Sequence, residues 1–394
     1  MTIYLDNNAT TQVAQEVLEA MLPYFHDLYG NPSSMHTFGG QVGRIIRRAR
    51  EQVAALINAE PDEIIFTSCG SESDNTAIRS ALTTQPGKRH LVASRVEHPA
   101  INALAAHLAK EGYRVTELPV DGEGRLSLEQ FARSLTPETA IASLMWANNE
   151  TGVIFPVEEA AATARSKGVL FHTDAVQAVG KIPIDMKQNA IDMLALSGHK
   201  LHAPKGVGAL YVRRGTKFSP FLIGGHQEKG RRGGTENTAG IIGLGVACEL
   251  AARNLEKENT AVKNLRDKLE NALLTRIPHS RINGDRVQRL PNTTNISFKF
   301  VEGEAILLLL NELGICASSG SACTSGSLQP SHVLRAMGVP FTFAHGSIRL
   351  SLSVYNTEAE IDFVIEKFPI IIEKLRGLSP YWEVGDAVCA TFEG

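Results

Sequence analysis

The sequence has little that would direct the chain to a membrane or to nucleic acid. Its longest apolar run, residues 305–310, is far too short to cross a bilayer. The first residues lack the basic segment and apolar core of a secretory signal. A formal net charge of -3 provides no basic excess to attract nucleic acid or an anionic membrane. We therefore expect a cytoplasmic protein without nucleic-acid or membrane partners.

Cysteine is also scarce, and its spacing does not suit structural cross-links. The five cysteines are scattered, odd in number and without a close C-x-x-C pair: Cys69, Cys248, Cys316, Cys323 and Cys389. In a reducing cytosol we expect free thiols, and the spacing does not match an iron–sulfur cluster site. Most free cysteines serve as small apolar residues, so the question is which thiol reacts.

The order of apolar segments predicts a large α/β domain. The chain has 394 residues, too many for one ordinary core. Helical spacing at 13–29 and 40–59 is followed by short apolar runs that alternate mostly with helical stretches, which is typical of a largely parallel sheet. The predicted strands are residues 63–67, 89–94, 140–146, 169–173, 191–196 and 207–213.

Beyond Gly233 the pattern changes and indicates a smaller α+β domain. Residues 237–277 are predicted to form one long or kinked helical region that could bridge two domains. Two strands, 294–300 and 347–353, and two helices, 304–313 and 357–378, follow. We predict a large domain over residues 14–258 and a small one over residues 1–13 and 259–394.

A lysine follows the predicted strand 191–196, in the segment Ser197-Gly198-His199-Lys200. Open α/β sheets present their ligands at the carboxyl ends of strands. There the Lys200 amine can condense with an aldehyde, and Ser197 and His199 could donate hydrogen bonds to a phosphate, as a pyridoxal phosphate site requires. A solvated lysine in a loop would give the same short motif.

A carboxylate ends another predicted strand. Asp174 follows residues 169–173, and Gln177 lies one turn further on. A carboxylate there can pair with a pyridine nitrogen and keep it protonated, which makes the ring an effective electron sink. Gln177 could then bond the phenolic oxygen of the ring. Asp174 could also cap a helix, and the two roles are compatible.

Further strand ends carry suitable polar groups. Gly70 and Ser71 open a helix after strand 63–67, where free backbone N–H groups could bind a phosphate, although a capping box would look much the same. His98 follows another strand and could stack on a ring and relay protons, but a lone histidine is often structural. Asn149 follows a third strand. Their convergence on one cofactor is stronger evidence than any single motif.

One cysteine lies among small residues. Residues 317–327 are almost entirely Ala, Ser, Gly and Thr around Cys323, so little packing can hold the loop and the thiol can travel. A structural cysteine more often has large apolar neighbours, as Cys248 has. A flexible surface loop with an incidental cysteine is the alternative.

Two basic features complete the candidate site. Arg349, on the predicted strand 347–353, could bind a substrate carboxylate through two hydrogen bonds, or it could form a surface salt bridge. The glycine-rich basic segment 224–235, which ends at Thr235, could approach a phosphate or serve as a linker.

Together these segments resemble the class I cysteine desulfurases of the NifS/IscS family, within the fold-type I pyridoxal-phosphate enzymes (aminotransferase class V). The resemblance extends from Tyr4 to about Trp382. Its most specific parts are S-S-G-S-A-C-T-S-G around Cys323 and S-G-H-K at Lys200, and M-W-A-N-N-E-T-G is closer to the nitrogen-fixation NifS branch. Val354 and Gly234 depart from common family residues, but neither change removes a catalytic group.

The resemblance implies a role for each candidate residue. Lys200 would hold the cofactor covalently, His98 would stack on its ring and move protons, and Cys323 would take the substrate sulfur as a persulfide while alanine leaves. The other implied contacts are Asp174 with the pyridine nitrogen, Gln177 with the phenolic oxygen, Gly70, Ser71, Ser197 and His199 with the phosphate, Asn149 with cofactor and substrate, Arg349 with the substrate carboxylate, and Thr235 with the partner subunit's cofactor.

The resemblance thus implies a homodimeric enzyme that converts L-cysteine to L-alanine and passes sulfur to an iron–sulfur scaffold protein, with nitrogenase maturation as the expected destination. It implies no resident metal, only transient contact of the Cys323 persulfide with a [2Fe-2S] cluster on the scaffold. The alternatives are a selenocysteine lyase-like enzyme and a catalytically idle assembly scaffold.

Overall fold

The computed structural model describes residues 2–319, 330–380 and 382. The strands in these ranges are β1 (Ile3–Tyr4), β2 (Ile64–Thr67), β3 (His90–Ser94), β4 (Arg114–Leu118), β5 (Thr139–Ser143), β6 (Leu170–Asp174), β7 (Met193–Ser197), β8 (Gly208–Val212), β9 (Ser280–Ile282), β10 (Thr293–Phe298), β11 (Ile315–Cys316) and β12 (Ser347–Ser351). The helices are α1 (Gln15–Met21), α2 (Pro23–His26), α3 (Thr37–Leu56), α4 (Gly70–Thr84), α5 (Pro99–Lys110), α6 (Leu128–Ser134), α7 (Val157–Ser166), α8 (Thr238–Lys257), α9 (Lys263–Arg276), α10 (Gly303–Glu312), α11 (His332–Ala336), α12 (Phe341–Ala344) and α13 (Glu358–Leu378).

A seven-stranded sheet forms the centre of the molecule, in the order β2-β8-β7-β6-β5-β3-β4. Strands β4, β3, β5, β6 and β7 pair in parallel, whereas β8 runs antiparallel to both of its neighbours. Every residue of β3, β5, β7 and β8 is buried, which explains their nearly continuous apolar sequence. The predicted α/β fold with a mostly parallel sheet is confirmed.

Strand β4 was not predicted, because it lies at the edge of the sheet and only Val115 and Leu118 of its five residues are apolar. Arg114 and Glu117 are exposed there. The predicted helix over 13–29 is also shorter than expected. It divides into α1 and α2, and Pro23 occupies the first turn of α2.

The carboxyl ends of five strands meet at one edge of this sheet. Because β2 and β7 are both antiparallel to β8, they run in the same direction, and β3, β5 and β6 share that direction. Polar residues that follow these strands therefore lie near one another, where an open α/β sheet binds its ligands.

The long helical region predicted over 237–277 is present as α8, a π-helical segment (Glu258–Val262) and α9. The Asn237 side chain caps α8 by accepting a hydrogen bond from the backbone N–H of Gly240. Helix α8 packs closely on α3: a Cβ atom at Gly245 would lie 2.7 Å from Ala49 Cα. Only glycine permits that separation.

A second core surrounds the antiparallel sheet β12-β10-β9. Its buried residues come from the N-terminal segment, including Ile3 and Leu5, and from Val262 to Ile372. The short elements β1, β9, β11, α11 and α12 were not predicted, because they are too short for a periodic pattern to show. Leu290 and Leu334 pack in the core around the large sheet, so contacts cross the predicted domain boundary. Within the described ranges, no helix combines the length and apolar composition needed to span a membrane.

A buried ion pair joins α9 to the segment before β10. Glu270 is 1% exposed and accepts hydrogen bonds from Arg289 at 2.5 and 2.8 Å and from the Thr294 hydroxyl at 2.6 Å. Replacing Glu270 with Gln would remove the close acidic partner of the buried Arg289 charge and leave it the more distant Asp267, 3.9 Å away. We expect this to lower the free energy of unfolding by about 3–5 kcal/mol, measured by circular dichroism in urea.

The control is Glu129→Gln on α6. Glu129 pairs with Arg133 one helical turn away, but both side chains are more than two-thirds exposed, so its loss should change stability little. Equal effects of the two substitutions would contradict the predicted importance of the buried pair.

Candidate active site

A cavity of about 630 Å³ opens at the edge of the sheet where the parallel strands end. Its walls include every predicted site residue of the described ranges except Thr235: Gly70, Ser71, His98, Asn149, Asp174, Gln177, Ser197, His199, Lys200 and Arg349. These residues come from separate strand ends and from β12, so the fold brings them together.

Lys200 ends a single 3₁₀ turn (Gly198–Lys200) that directly follows β7. A Cβ atom at Gly198 would lie 2.9 Å from Val207 Cγ1, so glycine is needed for this turn to pack. The Lys200 ammonium donates hydrogen bonds to the backbone carbonyls of Asn8 and Ala9 at 2.5 and 2.7 Å. The N-terminal segment therefore forms part of the cavity.

Gln177 also contacts the N-terminal segment. Its side-chain amide donates a hydrogen bond to the Asn8 carbonyl at 3.0 Å, and His199 Nδ1 lies 3.1 Å from the Thr10 hydroxyl. Asp6, Asn8 and Ala9 lie within the stretch of resemblance that begins at Tyr4, but no role was predicted for them. Their role in the cavity could not be predicted because nearly 200 residues separate them from Lys200.

Asp174 lies at the end of β6 with 6% of its surface exposed. Burial raises the pKa of its carboxyl, while the nearby His98 and Lys200 oppose this effect. No helix begins here; residues 176–181 form a turn, and Asp174 Oδ1 accepts a hydrogen bond from the Val176 N–H at 3.0 Å. The alternative role of helix N-cap is therefore wrong.

His98 is the N-cap residue of α5. Its Nδ1 accepts a hydrogen bond from the Ala100 N–H at 3.2 Å, which leaves the proton of a neutral ring on Nε2. Burial lowers the pKa of His98, with a smaller opposing effect from Asp174 and a further lowering by Lys200. His98 therefore has a structural role as the N-cap of α5. Its neutral ring also lines the cavity.

A place suited to a phosphate lies between α4 and β7. The N-cap residue of α4, Cys69, makes no side-chain capping bond, so the alternative of a capping box around Gly70 and Ser71 is wrong. A Cβ atom at Gly70 would lie 3.6 Å from Ser197 Cβ, which shows how near the helix start is to β7. The buried Ser197 hydroxyl has no hydrogen-bond partner among the described residues. A bound phosphate would accept hydrogen bonds from the Ser197 hydroxyl and from the free N–H groups at the start of α4.

His199 completes this region as a neutral group. Burial, followed by the effect of Lys200, lowers the pKa of His199 to about 4. Its ring is therefore uncharged at neutral pH and acts as a hydrogen-bonding group.

Arg349 is 6% exposed, so the alternative of a surface salt bridge is wrong. Its Nη2 lies 2.7 Å from Asp6 Oδ1, and its Nη1 donates to the Asn149 carbonyl at 3.0 Å. Arg349 also pairs through its backbone with Ser318, whose carbonyl accepts the Arg349 N–H at 2.7 Å. The guanidinium is thereby fixed beside the start of the cysteine-bearing loop.

Cys323 itself lies outside the described residues. Ser319 and Pro330, which flank residues 320–329, both line the cavity. Ser331 donates a hydrogen bond to the buried Glu150 carboxylate at 2.5 Å, and burial raises the pKa of Glu150 to about 7. The Glu150–Ser331 contact could not be predicted from local patterns, because 181 residues separate its two members.

Thr235 is not part of this cavity. It is exposed and borders a separate, smaller pocket with Thr67 and Glu228. Its predicted contact with the cofactor of a partner subunit stays a prediction.

Comparison with known proteins identifies similar chains over nearly the full length. Residues 3–364 match the family described as aminotransferase class-V. The chain is 62% identical over 379 residues to the cysteine desulfurase of Trichormus azollae, covering 96% of this chain and 95% of the relative. It is 61% identical over 381 residues to the cysteine desulfurase NifS of Azotobacter vinelandii, with the same coverage.

Solved structures agree with these relatives. A NifS-like protein superposes with a TM-score of 0.90 at 38% identity, covering 95% of this chain and 100% of that one. SspA in complex with cysteine gives a TM-score of 0.80 at 35% identity, covering 90% and 100%.

The unsatisfied Ser197 hydroxyl allows a test of the phosphate site. We expect Ser197→Ala to leave the stability of the cofactor-free chain unchanged or slightly higher, because no hydrogen bond to a described residue is lost. The same change should weaken pyridoxal phosphate binding about 10-fold or more, because a hydrogen bond to a charged group contributes about 1.5–3 kcal/mol. Thermal unfolding and equilibrium titration of the cofactor measure the two effects.

The control is Ser297→Ala in β10, at a residue that does not line the cavity. The Ser297 hydroxyl is buried and accepts a hydrogen bond from Asn283 at 2.7 Å. This variant should lose stability and retain cofactor affinity. Unchanged affinity in Ser197→Ala would exclude Ser197 from the phosphate site.

Proposed function

The chain belongs to the aminotransferase class-V family, and we propose that it is a pyridoxal-phosphate-dependent cysteine desulfurase that converts L-cysteine to L-alanine. The main support is the convergence of Lys200, Asp174, His98 and Arg349 on one cavity. Relatives with more than 60% identity carry the name cysteine desulfurase, and one similar structure is described in complex with cysteine.

The cofactor residues have separate tasks. When bound, pyridoxal phosphate supplies an electron sink for bond breaking next to the substrate amino group. Lys200 would attach it, Asp174 would pair with its ring nitrogen, and Gln177 would reach its phenolic oxygen. Ser197, His199 and the first N–H groups of α4 would hold its phosphate.

Arg349 would bind the substrate carboxylate. In the free chain Asp6 pairs with this guanidinium, so the substrate has to share or replace that contact. Asn149, whose carbonyl is held by Arg349, would position the substrate from the other side. Such fixed geometry lets binding energy orient the substrate sulfur.

His98 would move protons at the substrate, and Cys323 would attack the substrate sulfur as a thiolate, which is a much better nucleophile than a thiol. The carbon–sulfur bond breaks as a sulfur–sulfur bond forms, and the carbon takes up a proton to give alanine. Cys323 then holds a persulfide, whose outer sulfur passes to an acceptor.

The acceptor is an iron–sulfur scaffold protein, with nitrogenase maturation as the destination. The 61% identity to a protein named NifS supports this part of the proposal. A cytoplasmic location fits it, because Cys69, Cys248 and Cys316 are free thiols and reducing conditions keep Cys323 reactive.

The active form is a homodimer in which Thr235 reaches the cofactor of the partner subunit. Thr235 is exposed and outside its own cavity. Large apolar side chains are also exposed in two regions, as expected for a surface that another subunit covers: Leu22, Phe25, Tyr29, Met35, Phe221 and Ile223.

Replacing Cys323 with Ala should abolish alanine formation from cysteine and leave the cofactor absorbance intact, because the nucleophile is lost while the cofactor residues remain. Alanine and sulfide production, with dithiothreitol as reductant, measure the effect. Cys316→Ala is the control: Cys316 lies on β11 outside the cavity walls and should keep near-normal turnover. Normal turnover in Cys323→Ala would contradict the proposed role.

Replacing Lys200 with Ala should prevent covalent fixation of the cofactor by borohydride, because the reducible link needs the lysine amine. Mass spectrometry of the reduced protein measures this. Lys205→Ala, a change at a lysine outside the cavity walls, should leave fixation unchanged. Retained fixation in Lys200→Ala would identify another lysine as the attachment site.

A further inference from the structure

Asp74 lines the cavity and faces the buried imidazole of His172, which is not itself part of the cavity wall. Asp74 lies on α4 and His172 on β6, with side-chain exposures of 2% and 0%. Asp74 Oδ1 is 3.5 Å from His172 Nε2, and within the described part of the chain neither atom has a hydrogen-bond partner. His172 Nδ1 lies 2.9 Å from the Ser143 hydroxyl.

We propose that Asp74 is a positioning residue that, as a neutral carboxylic acid, donates a hydrogen bond to His172 Nε2 and so leaves Asp174 as the charged carboxylate for the cofactor ring. The part that concerns the ring rests on the proposed function. The hydrogen bond itself concerns only the chain and can be tested without cofactor.

The single N–H of a neutral His172 ring is compatible with a hydrogen bond from Asp74 to Nε2. Burial lowers the pKa of His172 to about 3, so its ring is neutral at neutral pH and carries one N–H. The proposal places that N–H on Nδ1, where it donates to Ser143, so that Nε2 can only accept. The Asp74 carboxyl lies 3.5 Å from Nε2 and can donate to it only when it is protonated.

The surroundings of Asp74 favour the protonated form. Burial raises the pKa of Asp74 well above its usual range, and Asp174, Glu97 and Cys69 act in the same direction. Burial also raises the pKa of Glu97 to about 8. Burial raises the pKa of Asp174 as well, but His98 and Lys200 oppose that effect, whereas the neighbours of Asp74 add to it. Of these neighbouring carboxyls, Asp174 is therefore the one placed to carry a negative charge.

His172 connects Asp74 to the strand that carries Asp174. Residues two apart on a strand project to the same face, so His172 and Asp174 lie side by side on β6. Loss of the Asp74 hydrogen bond would leave the His172 ring without one of its two contacts. Asp174 would then be held less firmly, and its affinity for a proton would change.

Two variants of Asp74 distinguish the effect of its hydrogen bond from the effect of a charge on its carboxyl. Asp74→Asn keeps the shape and an N–H donor but cannot ionise, whereas Asp74→Ala removes the donor. We expect Asp74→Asn to retain the pyridoxal phosphate dissociation constant within about threefold and to retain the pH dependence of the holoenzyme absorbance. Asp74→Ala should weaken binding about fivefold to tenfold, as expected for one lost hydrogen bond, and shift that pH dependence.

Infrared difference spectroscopy of the cofactor-free chain tests the protonation directly. The spectrum of the unsubstituted protein minus that of Asp74→Asn at neutral pH should contain the carbonyl stretch of one protonated carboxyl, because protonated Glu97 contributes equally to both spectra and cancels. A carboxylate band in its place would show that Asp74 is ionised and would overturn the proposal. So would an Asp74→Asn variant whose cofactor absorbance changes as much as that of Asp74→Ala.

Ser80→Ala is the matched control on the same helix. The Ser80 hydroxyl is buried and accepts a hydrogen bond from the Ser219 N–H at 2.8 Å, away from the cavity walls. Ser80→Ala should lower the stability of the protein without changing the pH dependence of the holoenzyme absorbance.

If Asp74→Ala does not fold, the infrared spectra and the cofactor binding of Asp74→Asn still test the proposal. A protein that shows the infrared band but no cysteine turnover would contradict the proposed function and leave the Asp74 hydrogen bond standing.

Discussion

The shared direction of five strands is the constraint on which the rest of the structure depends. Because β2, β3, β5, β6 and β7 end at one edge of the sheet, residues that follow them meet in one cavity although they are far apart in the chain. The tightly packed strands and helices behind that edge leave the site residues little freedom. The cavity is therefore formed by the topology before any ligand binds.

Burial then decides which of these groups carry charge. His172 and His199 are neutral because their rings are enclosed, and the raised pKa values of Glu97 and Glu150 have the same cause. Burial raises the pKa of Asp174 too, but His98 and Lys200 oppose that effect. Asp174 is thus the carboxyl best placed to carry a negative charge where a protonated ring nitrogen would need it.

The smaller part of the molecule supplies the side of the cavity that contains Arg349. Arg349 on β12 is held by Asp6 and by the Asn149 carbonyl, so one guanidinium joins the N-terminal segment, the large sheet and the small sheet. Ser318 and Ser331 fix both ends of the cysteine-bearing segment against the same group of residues. In the proposed function, the residues that bind the substrate and the segment that accepts its sulfur would therefore be held by the same contacts.

The sequence by itself determined the α/β alternation, the mostly parallel sheet and the strand ends at which Lys200, Asp174 and His98 lie. Those features follow from local periodicity and from the short distance between a strand and the residue after it. It also pointed to Cys323 through the small residues around it. Only the tertiary structure decided that Asp6 pairs with Arg349, that Asn8 contacts Lys200 and that Asp74 faces His172. These contacts join distant segments, and the protonation states depend on burial that no local pattern encodes.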